Sequence, residues 1–253
     1  MALLEMNYKS EALSRDIRLE ILLPCNDGRT DAPTPFRTLY FLPGYSGSGK
    51  EILTELSFRP HSMFYGTAVV IVDGENSFYV DHKERRMGYQ SFVGQEVVEV
   101  TRKLFPLSRK REDTFIGGIS MGGFGALYIG VQKADTFGKI AMLSPGLDAY
   151  EMIDREGGFF REQLDNMFGG REAFYQNDFY YKTLLSRRLD KGLDIPELFL
   201  CCGREDVLVY EQVREMRRFL EEKGIAVEYH EDDGDHDILY WESKMDQLFD
   251  FCK

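Results

Sequence analysis

Thr114-Phe115-Ile116-Gly117-Gly118-Ile119-Ser120-Met121-Gly122-Gly123-Phe124-Gly125 is the stretch on which the reading of this 253-residue chain turns. It begins as a short apolar strand, passes through a glycine-framed serine, and opens a helix that continues through Ala126-Leu127-Tyr128-Ile129. Gly118-Ile119-Ser120-Met121-Gly122 fits Gly-x-Ser-x-Gly, the nucleophile elbow. The spacing has a steric reason. A strand that turns at once into a helix brings the residues two before and two after the serine together, where a Cβ would clash. The serine is held in a strained conformation that pushes its Oγ outward. The N–H groups of the following helix point at that oxygen and favour negative charge there. A bare glycine-rich turn would satisfy the five-residue pattern equally. The flanking strand and helix favour the catalytic reading.

A serine hydroxyl needs a base to take its proton, and the base needs an acid to fix its tautomer. On a strand–elbow–helix scaffold the chain order is serine, acid, histidine. Only His230 and His236 follow Ser120. His230 lies within the alternating run Val227-Glu228-Tyr229-His230-Glu231, a strand, and reads as structural. His236 lies on the loop just beyond and is the candidate base. The candidate acid sits in Gly203-Arg204-Glu205-Asp206, directly after the apolar strand Leu198–Cys202; Asp206 is preferred, with Glu205 its rival. The acidic run Glu231-Asp232-Asp233-Gly234-Asp235-His236-Asp237 reads as a solvated loop. An oxyanion hole needs two backbone N–H donors. Met121 supplies one. The other is expected from Pro43-Gly44-Tyr45-Ser46, with Tyr45 preferred and Ser46 its neighbour alternative.

Outward from this centre, strands and helices alternate. Residues 14–23, which alternate in polarity from Asp16 to Ile21, predict a half-exposed antiparallel edge strand. Asn26-Asp27-Gly28 with Pro33 and Pro35 marks a turn and loop. Thr38–Leu42, Thr67–Val72, Lys139–Ser144 and Leu198–Cys202 are continuous apolar runs, as buried parallel strands require. Helices are expected at 51–58, 91–105, 210–223 and 238–251, the last holding Trp241, the only tryptophan. Residues 148–190 lack a strand signal and carry aromatics, Phe159 and Phe160 among them; they predict a helical insertion, a candidate lid, against the alternative of a helical layer beside the sheet. The loop Glu75-Asn76-Ser77-Phe78-Tyr79-Val80-Asp81 follows a strand's C-terminal end, where ligands sit in open α/β sheets. Ser46, Asn76, Phe78 and Tyr79 are therefore candidate substrate-binding residues. Without repeats or linkers, residues 1–253 predict one α/β domain with a mostly parallel central sheet flanked by helices.

Composition bounds the function. The net charge of −12 leaves no basic surplus for phosphates and argues against a nucleic-acid partner. Met1–Met6 has no basic or long apolar segment of the kind a signal peptide carries, and no apolar run reaches the ~18 residues of a membrane span. Cys25, Cys201, Cys202 and Cys252 show no metal-type spacing, and reduced thiols in a cytoplasmic protein are expected. No metal or cofactor is expected. Homo-oligomerisation is open.

One motif competes. Gly44-Tyr45-Ser46-Gly47-Ser48-Gly49-Lys50-Glu51 nearly matches the phosphate-binding loop Gly-x4-Gly-Lys-Ser/Thr after a strand, which would make the chain a nucleotide hydrolase. Glu51 stands where a magnesium-binding hydroxyl is needed, and its charge would repel phosphates. A non-catalytic binding protein on the same fold is a second alternative.

Together the residues resemble the esterase D-like esterases of the α/β-hydrolase superfamily, close to tributyrin-esterase-type carboxylesterases. The likeness runs over nearly the whole chain: Met1-Ala2-Leu3-Leu4-Glu5-Met6, Leu22-Leu23-Pro24, Leu42–Gly47, Asn76-Ser77-Phe78-Tyr79, Gly118–Gly123, Cys202–Asp206 and Gly234-Asp235-His236-Asp237. It implies a triad of Ser120, Asp206 and His236, and oxyanion N–H groups at Tyr45 and Met121. The implied reaction is hydrolysis of short- to medium-chain acyl esters through an acyl-enzyme. Relatives include S-formylglutathione hydrolases and feruloyl and acetyl-xylan esterases, and acyl transfer to another alcohol uses the same triad. Many relatives carry His-Gly where this chain has Pro43-Gly44.

Overall fold

The computed structural model describes residues 1–25, 34–82, 87–155 and 160–253. Its centre is an eight-stranded sheet. In chain order the strands are β1 (Ala2–Ser10), β2 (Arg15–Leu23), β3 (Arg37–Leu42), β4 (Thr67–Val72), β5 (Thr114–Ile119), β6 (Lys139–Leu143), β7 (Glu197–Gly203) and β8 (Val227–Asp232). Their spatial order is β1-β2-β4-β3-β5-β6-β7-β8. From β4 to β8 every neighbouring pair is parallel; β2 runs antiparallel to both β1 and β4. The 14–23 strand is thus antiparallel as expected but not at the edge. β1 covers it, with Ala2, Leu4, Met6 and Tyr8 turned towards the core and Leu3, Glu5, Asn7 and Lys9 exposed.

The central strands read as unbroken apolar runs because both faces are covered. In β4, Ala68, Val70 and Val72 join one core, while Val69 and Ile71 join the other. The first core takes residues of α3 (Val97–Leu104), α4 (Met121–Gln132) and α9 (Tyr210–Glu222); the second takes α1 (Gly49–Glu55), α2 (Phe58–Tyr65) and α11 (Met245–Phe251). The expected 91–105 helix begins at Tyr89 and passes through a π-helical turn, Phe92–Glu96, before α3. The expected 238–251 helix is two pieces, α10 (Ile238–Ser243) and α11, parted at Lys244.

Residues 148–190 contain four helices among the described residues: α5 (Ala149–Arg155), α6 (Arg161–Phe168), α7 (Arg171–Gln176) and α8 (Tyr181–Asp190). The turn at Asn26–Gly28, Pro33 and Phe159 lie outside the described residues.

The chain leaves β3 for β4 on one side and returns to β5 on the other. Strand order therefore reverses at β3, and the loops leaving β3 and β5 face each other across the crevice where such sheets hold ligands.

Candidate active site

The elbow is as tight as its glycines imply. Ser120 sits between β5 and α4 with φ 54° and ψ −116°, a backbone state sparsely populated by residues with a Cβ. A Cβ on Gly122 would lie 1.9 Å from the Leu42 carbonyl oxygen, and one on Gly118 would lie 2.4 Å from the Gly122 carbonyl carbon. The elbow is pinned by Ser120 N–H donating to Leu143 C=O at 2.9 Å and by Gly146 N–H donating to Ser120 C=O at 3.0 Å.

Two loops from the far side of the sheet bring the partners. His236 Nε2 is 3.0 Å from Ser120 Oγ, and its Nδ1 is 2.7 Å from Asp206 Oδ2. Asp206 is fully buried. Its Oδ1 accepts the Leu208 N–H at 3.1 Å and the Val209 N–H at 3.0 Å. These bonds keep a buried carboxylate solvated by protein. Glu205 is directed elsewhere, accepting the Gly234 N–H at 2.5 Å. The acid and histidine loops touch backbone to backbone, and a Cβ on Gly203 would lie 2.0 Å from the Gly234 oxygen. His230 is occupied in its strand, 2.9 Å from Glu228.

The acidic run around His236 is bound up locally. Asp232 pairs with Lys244 at 2.5 Å, Asp233 with Arg204 at 2.6 Å, and Asp237 caps α10 by accepting the Tyr240 N–H at 2.9 Å. The Lys244 ammonium holds the Asp232 carboxyl below its ordinary range.

The β3 loop closes over the serine: a Cβ on Gly44 would lie 3.5 Å from the Ser120 Cβ. Its Ser46 N–H is taken by Asn76 Oδ1 at 2.5 Å and its Gly47 N–H by the Gly44 C=O at 3.1 Å. Among the described residues the Tyr45 and Met121 N–H groups have no hydrogen-bond partner. Met121 is the first residue of α4, whose opening N–H groups have no intrahelical acceptor.

Ser120 and His236 stand at the floor of a cavity of about 460 Å³. It is lined by Ile52 and Glu55 of α1, Met152 and Ile153 of α5, Gln163 and Leu164 of α6, and Ile238 and Trp241 of α10. Trp241 meets the His236 ring edge-on, centroids 5.2 Å apart, and donates its indole N–H to Ser144 Oγ at 3.2 Å. These wall residues carried no motif; only helical runs near the site pointed to them. The 148–190 segment is divided in its role. α5 and α6 border the cavity, whereas α8 packs Tyr181 on Phe219 of α9 as a side layer.

The four candidate substrate-binding residues separate. Ser46 and Phe78 line the cavity. Asn76 and Tyr79 do not. Asn76 holds the Ser46 N–H, and Tyr79 is fully buried with its O–H donating to the Pro43 C=O at 2.9 Å. Both residues, expected to contact substrate, make these hydrogen bonds within the protein. The phosphate-loop likeness also finds another cause. Ser48 and Glu51 form a capping box at the start of α1, and the Gly49 N–H already donates to Asp73 Oδ1. Among the described residues no group of three or more His, Cys, Asp or Glu side chains is arranged to hold a metal ion, and no helix is long and apolar enough to cross a membrane.

A serine in hydrogen-bond reach of a histidine that a buried carboxylate orients can attack an acyl carbon. The family described as "Putative esterase" matches residues 10–251. An acetyl esterase of Caldicellulosiruptor saccharolyticus is 33% identical, with 99% of this chain and 98% of that protein covered. Among solved structures, the substrate-bound fluorophosphonate-binding serine hydrolase F of Staphylococcus aureus superposes with a TM-score of 0.89 at 25% identity, covering 99% of this chain and 98% of the other. The S-formylglutathione hydrolase of the same organism superposes with a TM-score of 0.87, also at 25% identity and with the same coverage. The chain belongs to this esterase family, and it is a serine hydrolase of carboxylic esters on the α/β-hydrolase fold.

Proposed function

We propose that the protein hydrolyses short, uncharged acyl esters, acetyl esters foremost, through a covalent acyl-enzyme. Ser120 is the nucleophile, His236 the general base and then acid, and Asp206 the group that orients and stabilises the imidazolium. The N–H groups of Tyr45 and Met121 receive the oxyanion. The observation that carries this reading is the unbroken chain Ser120 Oγ–His236 Nε2, 3.0 Å, and His236 Nδ1–Asp206 Oδ2, 2.7 Å, on the floor of a largely apolar cavity. His236 takes the Ser120 proton as Oγ bonds the acyl carbon and returns it to the departing alkoxide. It then takes a proton from water as the water oxygen attacks the acyl carbon, and passes that proton to Ser120 Oγ as the Oγ–acyl bond breaks, which frees the acid and restores the serine.

Two features support the choice of substrate. The relative of highest identity cited above is an acetyl esterase. Glu51 and Glu55 are carboxylates on the cavity wall, and among the described residues no Lys or Arg lines it. An anionic substrate such as a glutathione thioester, with two carboxylates against one ammonium, meets repulsion there. The S-formylglutathione hydrolase likeness favours thioester cleavage as the second reading. The free thiols of Cys25, Cys201, Cys202 and Cys252 support a reducing, cytoplasmic setting. The acidic balance supports action without nucleic acid.

The test is kcat/KM on acetyl, butyryl, octanoyl and feruloyl esters and S-formylglutathione, with Ser120→Ala alongside. Acetyl or butyryl esters lead the panel, and Ser120→Ala removes activity while keeping the wild-type Tm. Retained activity in Ser120→Ala refutes the nucleophile. A lead for S-formylglutathione selects the second reading.

A further inference from the structure

The loop that carries the Tyr45 N–H is held from outside itself, at three points, by one short segment. Asp73 Oδ1 accepts the Gly49 N–H, Asn76 Oδ1 accepts the Ser46 N–H at 2.5 Å, and the Tyr79 O–H donates to the Pro43 C=O at 2.9 Å. The three anchors bracket Gly44 and Tyr45 on both sides. None of the three side chains lines the cavity. We infer that Asp73, Asn76 and Tyr79 are positioning residues that hold the Tyr45 N–H at the oxyanion position, an inference that rests on the proposed roles of Ser120 and Tyr45.

The clamp is built stiffly. Glu75, Asn76, Phe78 and Tyr79 all adopt left-handed φ, between 42° and 60°. Such a run persists only where its surroundings over-determine it. Those surroundings are present. The Ser77 N–H donates to the Gly74 C=O at 2.9 Å, the Tyr79 N–H donates to Ser77 Oγ at 3.0 Å, and Glu75 pairs with Arg15 at 2.6 Å. The Tyr79 ring is wedged between two glycines: a Cβ on Gly74 would lie 2.3 Å from its Cζ, and one on Gly125 of α4 would lie 2.5 Å from its Cδ2. One ring thus touches the clamp and the elbow helix while its hydroxyl holds the oxyanion loop. Burial, with Asp73 nearby, pushes the Tyr79 phenol far up, so it stays a donor. Preorganisation of this kind matters because an oxyanion donor acts only if it is already in place when charge develops. A misplacement of about 1 Å can cost roughly a hundredfold.

The chemistry of the anchors sets the test. Asn76→Gly keeps the left-handed backbone without strain and removes only the acceptor. Asn76→Asp keeps an acceptor. Tyr79→Phe keeps the wedged ring and removes only the hydroxyl. With p-nitrophenyl acetate, Asn76→Gly and Tyr79→Phe are expected to lower kcat roughly 10- to 100-fold, with KM little changed. The interaction is made in the transition state and not with bound substrate. Asn76→Asp recovers most of the Asn76→Gly loss. Affinity for a trifluoromethyl ketone, which forms a tetrahedral oxyanion adduct with the serine, falls in step with kcat/KM in variants that stay folded at the assay temperature. Wild-type kcat in both Asn76→Gly and Tyr79→Phe overturns the clamp. So does a raised KM with unaltered kcat, which would make Asn76 a substrate contact. The function reading is separable: if Ser120→Ala is active, both readings fall, whereas an inactive Ser120→Ala beside fully active clamp variants sinks the clamp alone.

Discussion

Replacing Asp206 by asparagine alters one atom pair at the centre of the proposed triad, and the surrounding bonds dictate the outcome. Two backbone donors, the N–H groups of Leu208 and Val209, converge on Oδ1 at 3.1 and 3.0 Å. An amide at this position must keep its carbonyl oxygen towards them, because turning its NH2 that way leaves two donors facing a donor. That inversion costs about 1–3 kcal/mol for each stranded group, ~2–6 kcal/mol for the pair. The NH2 therefore faces His236 Nδ1, which is obliged to accept. The ring proton moves to Nε2 and points at Ser120 Oγ, so the base has no lone pair for the serine proton. The productive tautomer is reached only by inverting the amide, so kcat falls by roughly 30-fold to 10⁴-fold, with the upper end expected from triads of this geometry. The assay is p-nitrophenyl acetate hydrolysis beside Glu205→Gln, whose side-chain carbonyl can still accept the Gly234 N–H. Asp206→Asn is expected to be severely impaired and Glu205→Gln to stay within about threefold of wild type, since a surface hydrogen bond is kept. A loss under tenfold in Asp206→Asn, or equal losses in the two variants, refutes the argument.

Gly122→Ala sets a Cβ against the Leu42 carbonyl, a backbone atom that cannot swing aside; a stability loss of roughly 3 kcal/mol or more should appear as a large drop in Tm or in soluble yield. Met152→Ala widens the α5 wall of the cavity and should raise the octanoyl-to-acetyl ratio of kcat/KM about tenfold, read with matched p-nitrophenyl esters. Glu20 is buried, and burial together with the neighbouring Asp73 carboxylate raises its pKa. Its charged form is thus disfavoured by folding: its contribution to stability is complete below the unfolded carboxyl pKa and is lost as pH rises through the folded value. Glu20→Gln should therefore raise Tm at neutral pH, and the gain should vanish in acid. A gain that grows as pH falls would contradict this sign.

The central strands were legible because a strand covered on both faces must be apolar at every position, and β4 (Thr67–Val72) shows that run without interruption. The meeting of Ser120, His236 and Asp206 was legible because the elbow demands glycine at fixed offsets and the chain order leaves few partners. β1 carries the alternation of a one-sided strand, Leu4, Met6 and Tyr8 inward, but these inward residues are only partly buried, so its apolar signal is weaker than that of the central strands. α2 was hidden by Pro60, which the first turn of a helix tolerates. Asn76 and Tyr79 show a different limit. Nearness in sequence to a strand's end does not say which way a side chain points. Both bond to the loop after β3, Asn76 at the Ser46 N–H and Tyr79 at the Pro43 C=O. The cavity walls were least legible. Met152 and Trp241 line one cavity from helices far apart in the chain, and no local pattern marks that shared lining.

Trp241 has one further consequence. It is the only indole in the chain, and it lies edge-on to the His236 ring with its N–H on Ser144. Excited selectively, the whole molecule therefore emits from a single point beside the proposed base. A proton gained by that imidazole, or an acyl group lodged on the serine, alters the surroundings of the one emitter, so the enzyme carries its own optical reporter. Stopped-flow fluorescence can follow acylation and deacylation on unlabelled protein with substrates that have no chromophore.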